Sequence, residues 1–299
     1  MGSGAAAALL AEVCRVSEPD RRGKIPIAGP RILAYVEWGE PSARPLVCVH
    51  GLTRCARDFD FLAQEMVRHG YRVICPDVVG RGDSSWLTDP MDYAVPTYTK
   101  HLLMLLAHLQ LESLHWVGTS LGGLIGMAIA AMPGSPIERL VLNEVGPVVS
   151  VAALKRIAAY VGKWPPLPSI EAAEQYVRSI SAPFGPHTDA EWRFLTQHVV
   201  RHNPDGSLRM HYDPAIAVPF AAEPPTADLE LWKLYDDIRC PTLVLHGEHS
   251  DMLTRDTVAR MGARGPRAEA VEIAGVGHAP TLIHADQIAI VRDFLLGAR

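Results

Sequence analysis

The stretch HWVGTSLGGLIG, residues 115–126, decides the fold of this chain. It joins an apolar run to an amphipathic stretch through the pattern Gly-x-Ser-x-Gly, with Ser120 at its centre. Between a strand and a helix, this pattern makes a tight turn that lifts the serine hydroxyl out of the sheet, and its glycines let strand and helix approach closely. The helix start also carries a partial positive charge that favours a developing anion. The pattern therefore predicts a nucleophilic Ser120 rather than a serine that only caps a helix.

Working outward from this turn, short apolar runs rich in Val, Leu and Ile are separated by amphipathic stretches, which is typical of buried parallel strands alternating with helices. The predicted strands are Leu46–His50, Arg72–Cys75, Leu114–Gly118, Arg139–Asn143, Thr242–His246 and Ala270–Ile273. The predicted helices are Asp58–His69, Thr97–Leu109, Leu121–Met132, Arg255–Met261 and Thr281–Leu296. The sequence therefore predicts an α/β fold with a doubly wound, mostly parallel sheet.

The alternation breaks between Pro147 and Asp237, where helical patterns recur without a convincing strand. The predicted helices there are Val149–Val161, Ile170–Ile180, Asp189–His202 and Thr226–Tyr235. Stretches rich in proline and glycine separate them and favour loops. We interpret residues 147–237 as a helical cap inserted into a core domain made of residues 1–146 and 238–299.

Composition places the chain among globular enzymes rather than disordered or fibrous proteins. Of its 299 residues, 48% are hydrophobic and 20% are charged. The formal net charge is −5 and the basic residues are scattered singly, so no electrostatic footprint for nucleic acid is visible. We therefore expect a small-molecule partner and no nucleic acid.

The termini and cysteines indicate neither a membrane span nor a metal site. The apolar opening, residues 1–10, lacks a basic leader segment and is too short to cross a bilayer. A cytoplasmic location is the default expectation. The five cysteines have no Cys-x-x-Cys spacing, and we interpret them as reduced, largely buried thiols. They are Cys14, Cys48, Cys55, Cys75 and Cys240.

Two further motifs, taken with the serine turn, make the chain resemble an α/β-hydrolase. His50-Gly51-Leu52 follows an apolar strand and resembles the oxyanion loop of that family. Residues 76–84, PDVVGRGDS, resemble the Asp-x-x-Gly-x-Gly-x-Ser turn after the next strand. The matching motifs are spread over nearly all of residues 30–299. The resemblance implies the fold of the family, a catalytic order of serine, acid and histidine, and no cofactor.

A histidine after the last strand is the base that this order requires. His278 lies in the glycine-rich loop GVGHAP, residues 275–280, between the last predicted strand and the last predicted helix. We expect it to take the proton of Ser120, because a serine hydroxyl is a poor nucleophile without an adjacent base. His101 and His284 fall on predicted helices and are weaker candidates.

The acid should follow a late strand, where it would fix the tautomer of the imidazole and stabilise its protonated form. Asp251, in the polar turn after the strand Thr242–His246, is the predicted acid. Two alternatives stay open. Glu248 lies in the same turn, and Glu144 ends the preceding strand, a position that some α/β-hydrolases use for the acid.

The resemblance also implies two backbone N–H donors for the oxyanion, those of Leu52 and Leu121. Candidate substrate contacts are His50 and Gly51 beside the oxyanion turn, together with aromatic residues of the cap that could equally form its own small core. These aromatic residues are Trp164, Trp192, Tyr212 and Phe220.

Two other groups of residues are weaker candidates. His198 and His202 are four residues apart on a predicted helix, but two ligands make no closed metal site, and no metal is expected. Arg54 and Arg57 follow the oxyanion turn, where a guanidinium could meet a substrate carboxylate. Such arginines are more often structural ion-pair partners.

These residues predict hydrolysis of carboxylic esters of small or medium apolar substrates through an acyl-enzyme. Lactonases and thioesterases use the same groups. So do hydrolases of carbon–carbon bonds, although HGLTRC, residues 50–55, departs from their His-Gly-x-Gly-Pro-Gly stretch. A serine at the turn, instead of an aspartate, disfavours dehalogenase and epoxide hydrolase chemistry. A ligand receptor with a silent site is the alternative outside enzymes.

Overall fold

A sheet of eight strands occupies the centre of the molecule, whose computed structural model describes residues 17–298. Within these residues, the strands of this sheet and of two smaller sheets are β1 (Arg21–Ala28), β2 (Arg31–Trp38), β3 (Arg44–Val49), β4 (Tyr71–Pro76), β5 (Leu114–Thr119), β6 (Ile137–Asn143), β7 (Val148–Val149), β8 (Val200–His202), β9 (Leu208–Met210), β10 (Leu229–Glu230), β11 (Thr242–Gly247) and β12 (Glu269–Ile273). The order in the large sheet is β1-β2-β4-β3-β5-β6-β11-β12.

From β4 onward in this order, every pair of neighbouring strands is parallel. The prediction of a mostly parallel α/β sheet is therefore confirmed. The six predicted strands all form. The hairpin of β1 and β2 was not predicted, and it adds two antiparallel strands at one edge. Buried or partly buried residues alternate with exposed ones in β1, because only one of its faces packs against the core.

Helices cover both faces of the sheet. They are α1 (Asp60–Arg68), α2 (Val95–His108), α3 (Leu121–Ala130), α4 (Val151–Tyr160), α5 (Ile170–Ile180), α6 (Asp189–Gln197), α7 (Val218–Ala222), α8 (Trp232–Asp236), α9 (Arg255–Ala263) and α10 (Ala285–Leu296). Successive residues of β5 pack on opposite faces of the sheet. Trp116 packs on the face covered by α2 and α3, and Val117 packs on the face covered by α1 and α10. The doubly wound arrangement follows from this alternation.

The segment between β6 and β11 differs from the prediction: the helix expected over Thr226–Tyr235 is reduced to α8 (Trp232–Asp236), and strands form beside the other helices. Two small antiparallel sheets, β7 with β10 and β8 with β9, also form there. The predicted helix over 189–202 ends at Gln197, and its last residues become β8. Because Asn203 and Gly206 close a turn, this stretch continues as a hairpin into β9. The expectation that no strand occurs here is therefore wrong, since a short apolar run does not by itself distinguish helix from strand.

The same segment is bonded to the turn that follows β4. The N–H of Gly82 donates to the carbonyl of His211 at 3.0 Å, and the N–H of Asp213 donates to the carbonyl of Gly80 at 2.7 Å. Farther along, a guanidinium nitrogen of Arg54 donates to the carbonyl of Leu195 at 3.2 Å. That residues 147–237 form a separate cap stays a prediction.

The described cysteines are unpaired thiols. Cys48, Cys55 and Cys75 are buried, and Cys240 is partly buried. Burial raises the pKa of the Cys55 and Cys75 thiols well above its usual value and that of Cys240 to about 11, so these thiols stay protonated near neutral pH. Cys14 and the apolar opening lie outside the described residues. Within residues 17–298, no helix is both long and apolar enough to cross a membrane.

Tyr71 ties the end of α10 to the sheet. Its buried hydroxyl donates to the carbonyl of Leu295 at 3.0 Å and accepts from Nδ1 of His115, also at 3.0 Å. Burial lowers the pKa of His115 to about 4, so the ring is neutral near pH 7.

We expect Tyr71→Phe to lower the free energy of unfolding by about 1–3 kcal/mol, because it leaves two buried polar groups without a partner. Urea unfolding measures this. Tyr176→Phe is the matched control, because its hydroxyl donates to Lys163 in an exposed position, and it should change stability by less than about 0.5 kcal/mol. Equal effects of the two substitutions would contradict the prediction.

Candidate active site

Ser120 lies at the tip of the turn between β5 and α3, as the sequence predicts. Its φ is 52° and its ψ is −112°, a backbone conformation that residues other than glycine rarely adopt. A Cβ on Gly118 would lie 2.3 Å from the backbone of Gly122, and a Cβ on Gly122 would lie 2.0 Å from the carbonyl oxygen of Val49. Both positions therefore require glycine, and their close contacts hold Ser120 above the carboxyl edge of the sheet.

His278 approaches Ser120 from the loop after β12. The hydroxyl of Ser120 donates to Nε2 of His278 at 3.0 Å. Asn143, the last residue of β6, anchors this loop through its Nδ2, which donates to the carbonyl of Pro280 at 2.8 Å and to Oγ1 of Thr119 at 2.9 Å. One amide therefore ties the histidine loop to the strand that carries the serine.

Glu144 faces the other ring nitrogen of His278. Its side chain is fully buried, and its Oε2 lies 3.6 Å from Nδ1 of His278. Within residues 17–298, neither of these two buried atoms has a hydrogen-bond partner, so each is the available partner of the other. The second oxygen of Glu144 accepts from the N–H of Gly247 at 3.3 Å.

Asp251, the predicted acid, is not brought to His278. Its side chain is 45% exposed and forms a two-point ion pair with Arg156 of α4, with Oδ2–Nε and Oδ1–Nη2 distances of 2.5 and 2.8 Å. Ser250 caps the turn by accepting from Leu253 at 2.9 Å. The other alternative, Glu248, accepts from the N–H of Gly275 at 2.9 Å and lies on the surface. Of the three candidate acids, Glu144 is therefore the one whose carboxylate lies next to His278.

The two expected oxyanion donors are free. Within residues 17–298, no hydrogen bond engages the N–H of Leu52 or that of Leu121. Leu121 begins α3, where the first N–H groups of a helix lack an internal partner. The backbone of Leu52 is fixed by a buried side chain, because Nε of Arg81 donates to the Leu52 carbonyl at 2.7 Å.

Arg81 is a residue whose role was not found from the sequence. It is fully buried, its Nη1 donates to the carbonyl of Val79 at 2.7 Å, and its guanidinium lies 4.8 Å from the ring centre of Tyr98. The sequence feature that could have indicated this role is an arginine between two glycines, Gly80 and Gly82, in the turn that follows β4.

Two cavities meet at Ser120. We call the larger one, about 320 Å³, the apolar pocket; its lining includes Ser120, Leu121, Val145, Ile157, Phe220 and Met252. We call the smaller one, about 60 Å³, the polar pocket; its lining includes Gly51, Arg54, Ser120, Arg156, Ser181 and His278. The serine therefore separates an apolar space from one that carries two guanidinium groups.

The six predicted substrate contacts divide into two groups. Phe220 lines the apolar pocket and Gly51 lines the polar pocket. The other four residues lie outside both linings. Of these, Tyr212 and Trp164 pack edge to face with ring centres 6.1 Å apart, and Trp192 stacks on Phe184. These three pack into the same hydrophobic core as one face of the large sheet, and that any of them contacts substrate stays a prediction.

His50, the fourth, is fully buried behind the oxyanion turn. Its Nδ1 donates to the carbonyl of Gly51 at 2.7 Å, and its Nε2 accepts from the N–H of Val78 at 3.0 Å. Burial lowers the pKa of His50 to about 3, so the ring stays neutral and keeps this tautomer. His50 therefore connects the loops after β3 and β4 and lies outside the linings of both pockets.

The sequence and the fold of the chain match those of known proteins. A family model described as the alpha/beta hydrolase fold matches residues 44–285. The chain belongs to the α/β-hydrolase family. This α/β-hydrolase is 46% identical over 279 residues to the 3-hydroxybutyrate-oligomer hydrolase of Cupriavidus necator, which covers 91% of this chain and 95% of that protein.

Two more relatives are similar over most of their length. Lipase 1 of Psychrobacter immobilis is 25% identical to this α/β-hydrolase, over 86% of this chain and 78% of the lipase. The crystal structure of an alpha/beta hydrolase from Novosphingobium aromaticivorans superimposes with a TM-score of 0.83 at 35% identity, over 92% of this chain and 98% of that chain. Both the fold and the family that the sequence motifs indicated are therefore confirmed.

The contact between Gly122 and Val49 can be tested directly. We expect Gly122→Ala to push α3 away from β3, lowering the free energy of unfolding by about 1–3 kcal/mol. We also expect it to lower turnover by about 10²-fold, because displacement of the reacting groups by roughly 1 Å is sufficient for such a loss. Thermal unfolding and an ester hydrolysis assay measure the two effects.

Gly262→Ala in α9 is the matched control. A Cβ there would lie 3.7 Å from the carbonyl oxygen of Ala268, an ordinary contact. Alanine in place of a helical glycine should be neutral or stabilising by up to about 1 kcal/mol. A Gly122→Ala protein with the stability and turnover of this control would show that the close contact does not matter.

Proposed function

We propose that this α/β-hydrolase cleaves carboxylic esters with Ser120 as nucleophile, and that its substrates include short esters of hydroxy acids such as 3-hydroxybutyrate. The observation that carries the proposal is the 3.0 Å hydrogen bond between Ser120 and His278, on a turn next to two unused N–H groups. The oligomer hydrolase at 46% identity supports the class of ester.

In the proposed reaction, Oγ of Ser120 attacks the carbonyl carbon of the ester while its proton passes to Nε2 of His278. The electron pair of the carbonyl bond moves to the oxygen, which the N–H groups of Leu52 and Leu121 stabilise. When this intermediate collapses, the bond to the alcohol breaks and the alcohol leaves with the proton from His278. An acyl-enzyme on Ser120 remains.

Water then completes the cycle. His278 takes a proton from the water as its oxygen attacks the acyl-enzyme, and the same two N–H groups stabilise the second oxyanion. Collapse releases the carboxylic acid and returns the proton to Ser120. Overall, one ester and one water give one acid and one alcohol.

We assign the orienting acid to Glu144 instead of Asp251. A carboxylate opposite Nδ1 selects the tautomer in which Nε2 can accept the serine proton, and it stabilises the imidazolium that forms. The 3.6 Å separation is longer than a hydrogen bond, but catalytic hydrogen bonds are often long without substrate and shorten when it binds. Asp251 is already paired with Arg156 at the surface.

The nucleophile is tested by labelling and by substitution. A fluorophosphonate should modify Ser120, and Ser120→Ala should lower kcat for p-nitrophenyl butyrate by at least about 10³-fold. Ser179→Ala, which removes an exposed hydroxyl of α5, should keep both properties. An unlabelled wild-type protein without an ester burst would favour the silent receptor. Faster turnover of a lactone or an acyl-CoA than of any ester would instead favour those activities.

The acid is tested by comparing two isosteric substitutions. We expect Glu144→Gln to lower kcat on p-nitrophenyl butyrate by about 10²- to 10⁴-fold, because the imidazolium loses its counter-charge. This loss should exceed that of Asp251→Asn by at least tenfold, and Glu144→Asp should restore part of it. If Asp251→Asn has the greater effect on kcat, the assignment to Glu144 is wrong and the first expectation is restored.

A further inference from the structure

We propose that the polar pocket binds a free carboxylate on the alcohol part of the ester. In this proposal, Arg156 recognises the carboxylate and Asp251 orients Arg156. The inference rests on the proposed ester hydrolysis and specifies its substrate: an ester whose leaving alcohol is a short hydroxy acid.

The position of His278 indicates which part of the ester enters which pocket. His278 lines the polar pocket but not the apolar pocket, and Ser120 lines both. Because the histidine gives its proton to the leaving alcohol, the alcohol part must lie on the histidine side of the serine. The acyl part then occupies the larger apolar pocket.

Arg156 has a complete pair of donors available for an anion. A guanidinium carries five N–H groups. Arg156 donates from Nε and Nη2 to Asp251, and within residues 17–298 its Nη1 has no partner. The remaining hydrogens on Nη1 and Nη2 form the fork that matches the two oxygens of a carboxylate.

Asp251 fixes the direction of this fork. Its carboxylate holds one edge of the guanidinium, and its backbone carbonyl accepts from Oγ of Ser150, the residue that precedes α4, at 2.8 Å. The turn after β11 and the start of α4 are thus tied together. A partly exposed ion pair adds at most about 1 kcal/mol to stability, so orientation is the larger consequence of this pair.

Arg54 contributes charge to the same pocket but has fewer donors available. It donates from Nε and Nη2 to Asp58 at 2.8 and 2.6 Å, and Nη2 also donates to Leu195, which leaves only Nη1. Arg57, the other arginine after the oxyanion turn, pairs with the buried Asp60 at 2.7 Å and lines neither pocket. Arg156 is therefore the only one of the three arginines that lines the pocket and keeps a free fork.

The size of the pocket limits the alcohol to a small group. The polar pocket, at about 60 Å³, is much smaller than the apolar pocket, at about 320 Å³, and this favours a short alcohol part over a long alkyl chain. In a 3-hydroxy acid, the carboxylate is two carbon atoms from the carbon that bears the ester oxygen. This short link suits an anion site in the same small pocket as the proton donor.

The test compares the linear dimer of 3-hydroxybutyrate, which has a free carboxylate, with its methyl ester. We expect the wild-type protein to have at least about a tenfold higher kcat/KM for the dimer, since a charge-assisted two-point contact is lost in the methyl ester. Arg156→Gln should lower the ratio of the two kcat/KM values by about 10- to 100-fold. An unchanged ratio would overturn the proposal.

Matched variants separate recognition from a general effect of charge or folding. Arg193→Gln removes an arginine of α6 that pairs with Glu174 at 2.6 Å, and it should keep the wild-type ratio. Arg156→Lys keeps the positive charge without the two-point donor geometry and should give an intermediate ratio of the two kcat/KM values. It replaces Arg156→Gln in the test if that variant does not fold. Asp251→Asn should raise KM for the dimer more than it changes kcat, and Asp251→Glu should restore part of the loss. If Asp251→Asn changes only kcat, the orienting role is wrong.

A binding measurement distinguishes failure of this inference from failure of the proposed function. Ser120→Ala protein is titrated calorimetrically with the dimer and with its methyl ester. If the Ser120→Ala protein binds the dimer preferentially but the wild-type protein cleaves neither compound, the carboxylate site is supported and ester hydrolysis is refuted. Equal cleavage and equal binding of the two would keep ester hydrolysis and refute the carboxylate site.

Discussion

The contact of α3 with β3 at Gly122 is the constraint on which the rest of the site depends. A single added carbon there would lie 2.0 Å from the carbonyl oxygen of Val49, so the start of the helix can reach the sheet only without a side chain. This approach places Ser120 at a positive φ and leaves the N–H of Leu121 unused at the helix start. The positions of Ser120, the proposed nucleophile, and of the N–H of Leu121, a proposed oxyanion donor, therefore both depend on this contact.

The remaining groups reach Ser120 because parallel strands end at the same edge of the sheet. The ends of β3, β5 and β6 supply the Leu52 turn, Ser120 and Glu144, and the loop after β12 supplies His278. Buried polar side chains fix these loops relative to one another: Asn143 holds the histidine loop and Arg81 holds the carbonyl of Leu52. The strand ends thus provide positions, and the buried hydrogen bonds provide orientation.

The sequence was sufficient for the sheet, the serine turn and the histidine loop, because each is carried by local pattern: apolar runs, paired glycines and a glycine-rich loop after the last strand. It was not sufficient to choose between the candidate acids. Glu144 and Asp251 follow strands that are neighbours in the sheet, and their sequence contexts are alike. What separates them is Arg156, which comes from a helix in the inserted segment and has no recognisable relation to either residue in the sequence. The strands β7 to β10 were missed for a related reason, since they pair only with one another over two or three residues.

The difference in burial between these two carboxylates also bears on catalysis. Interactions accelerate a reaction only when they are stronger in the transition state than in the ground state. Glu144 is fully buried, and its partners are one backbone N–H and the histidine ring. In the proposed transition state the ring takes up the serine proton and becomes a cation 3.6 Å away, where little water screens the attraction. Asp251 is exposed and already paired with a permanent cation, so its interactions would change much less as the proton moves. Glu144 is therefore the carboxylate whose interactions would strengthen most as the proton moves, and this supports its proposed assignment as the orienting acid.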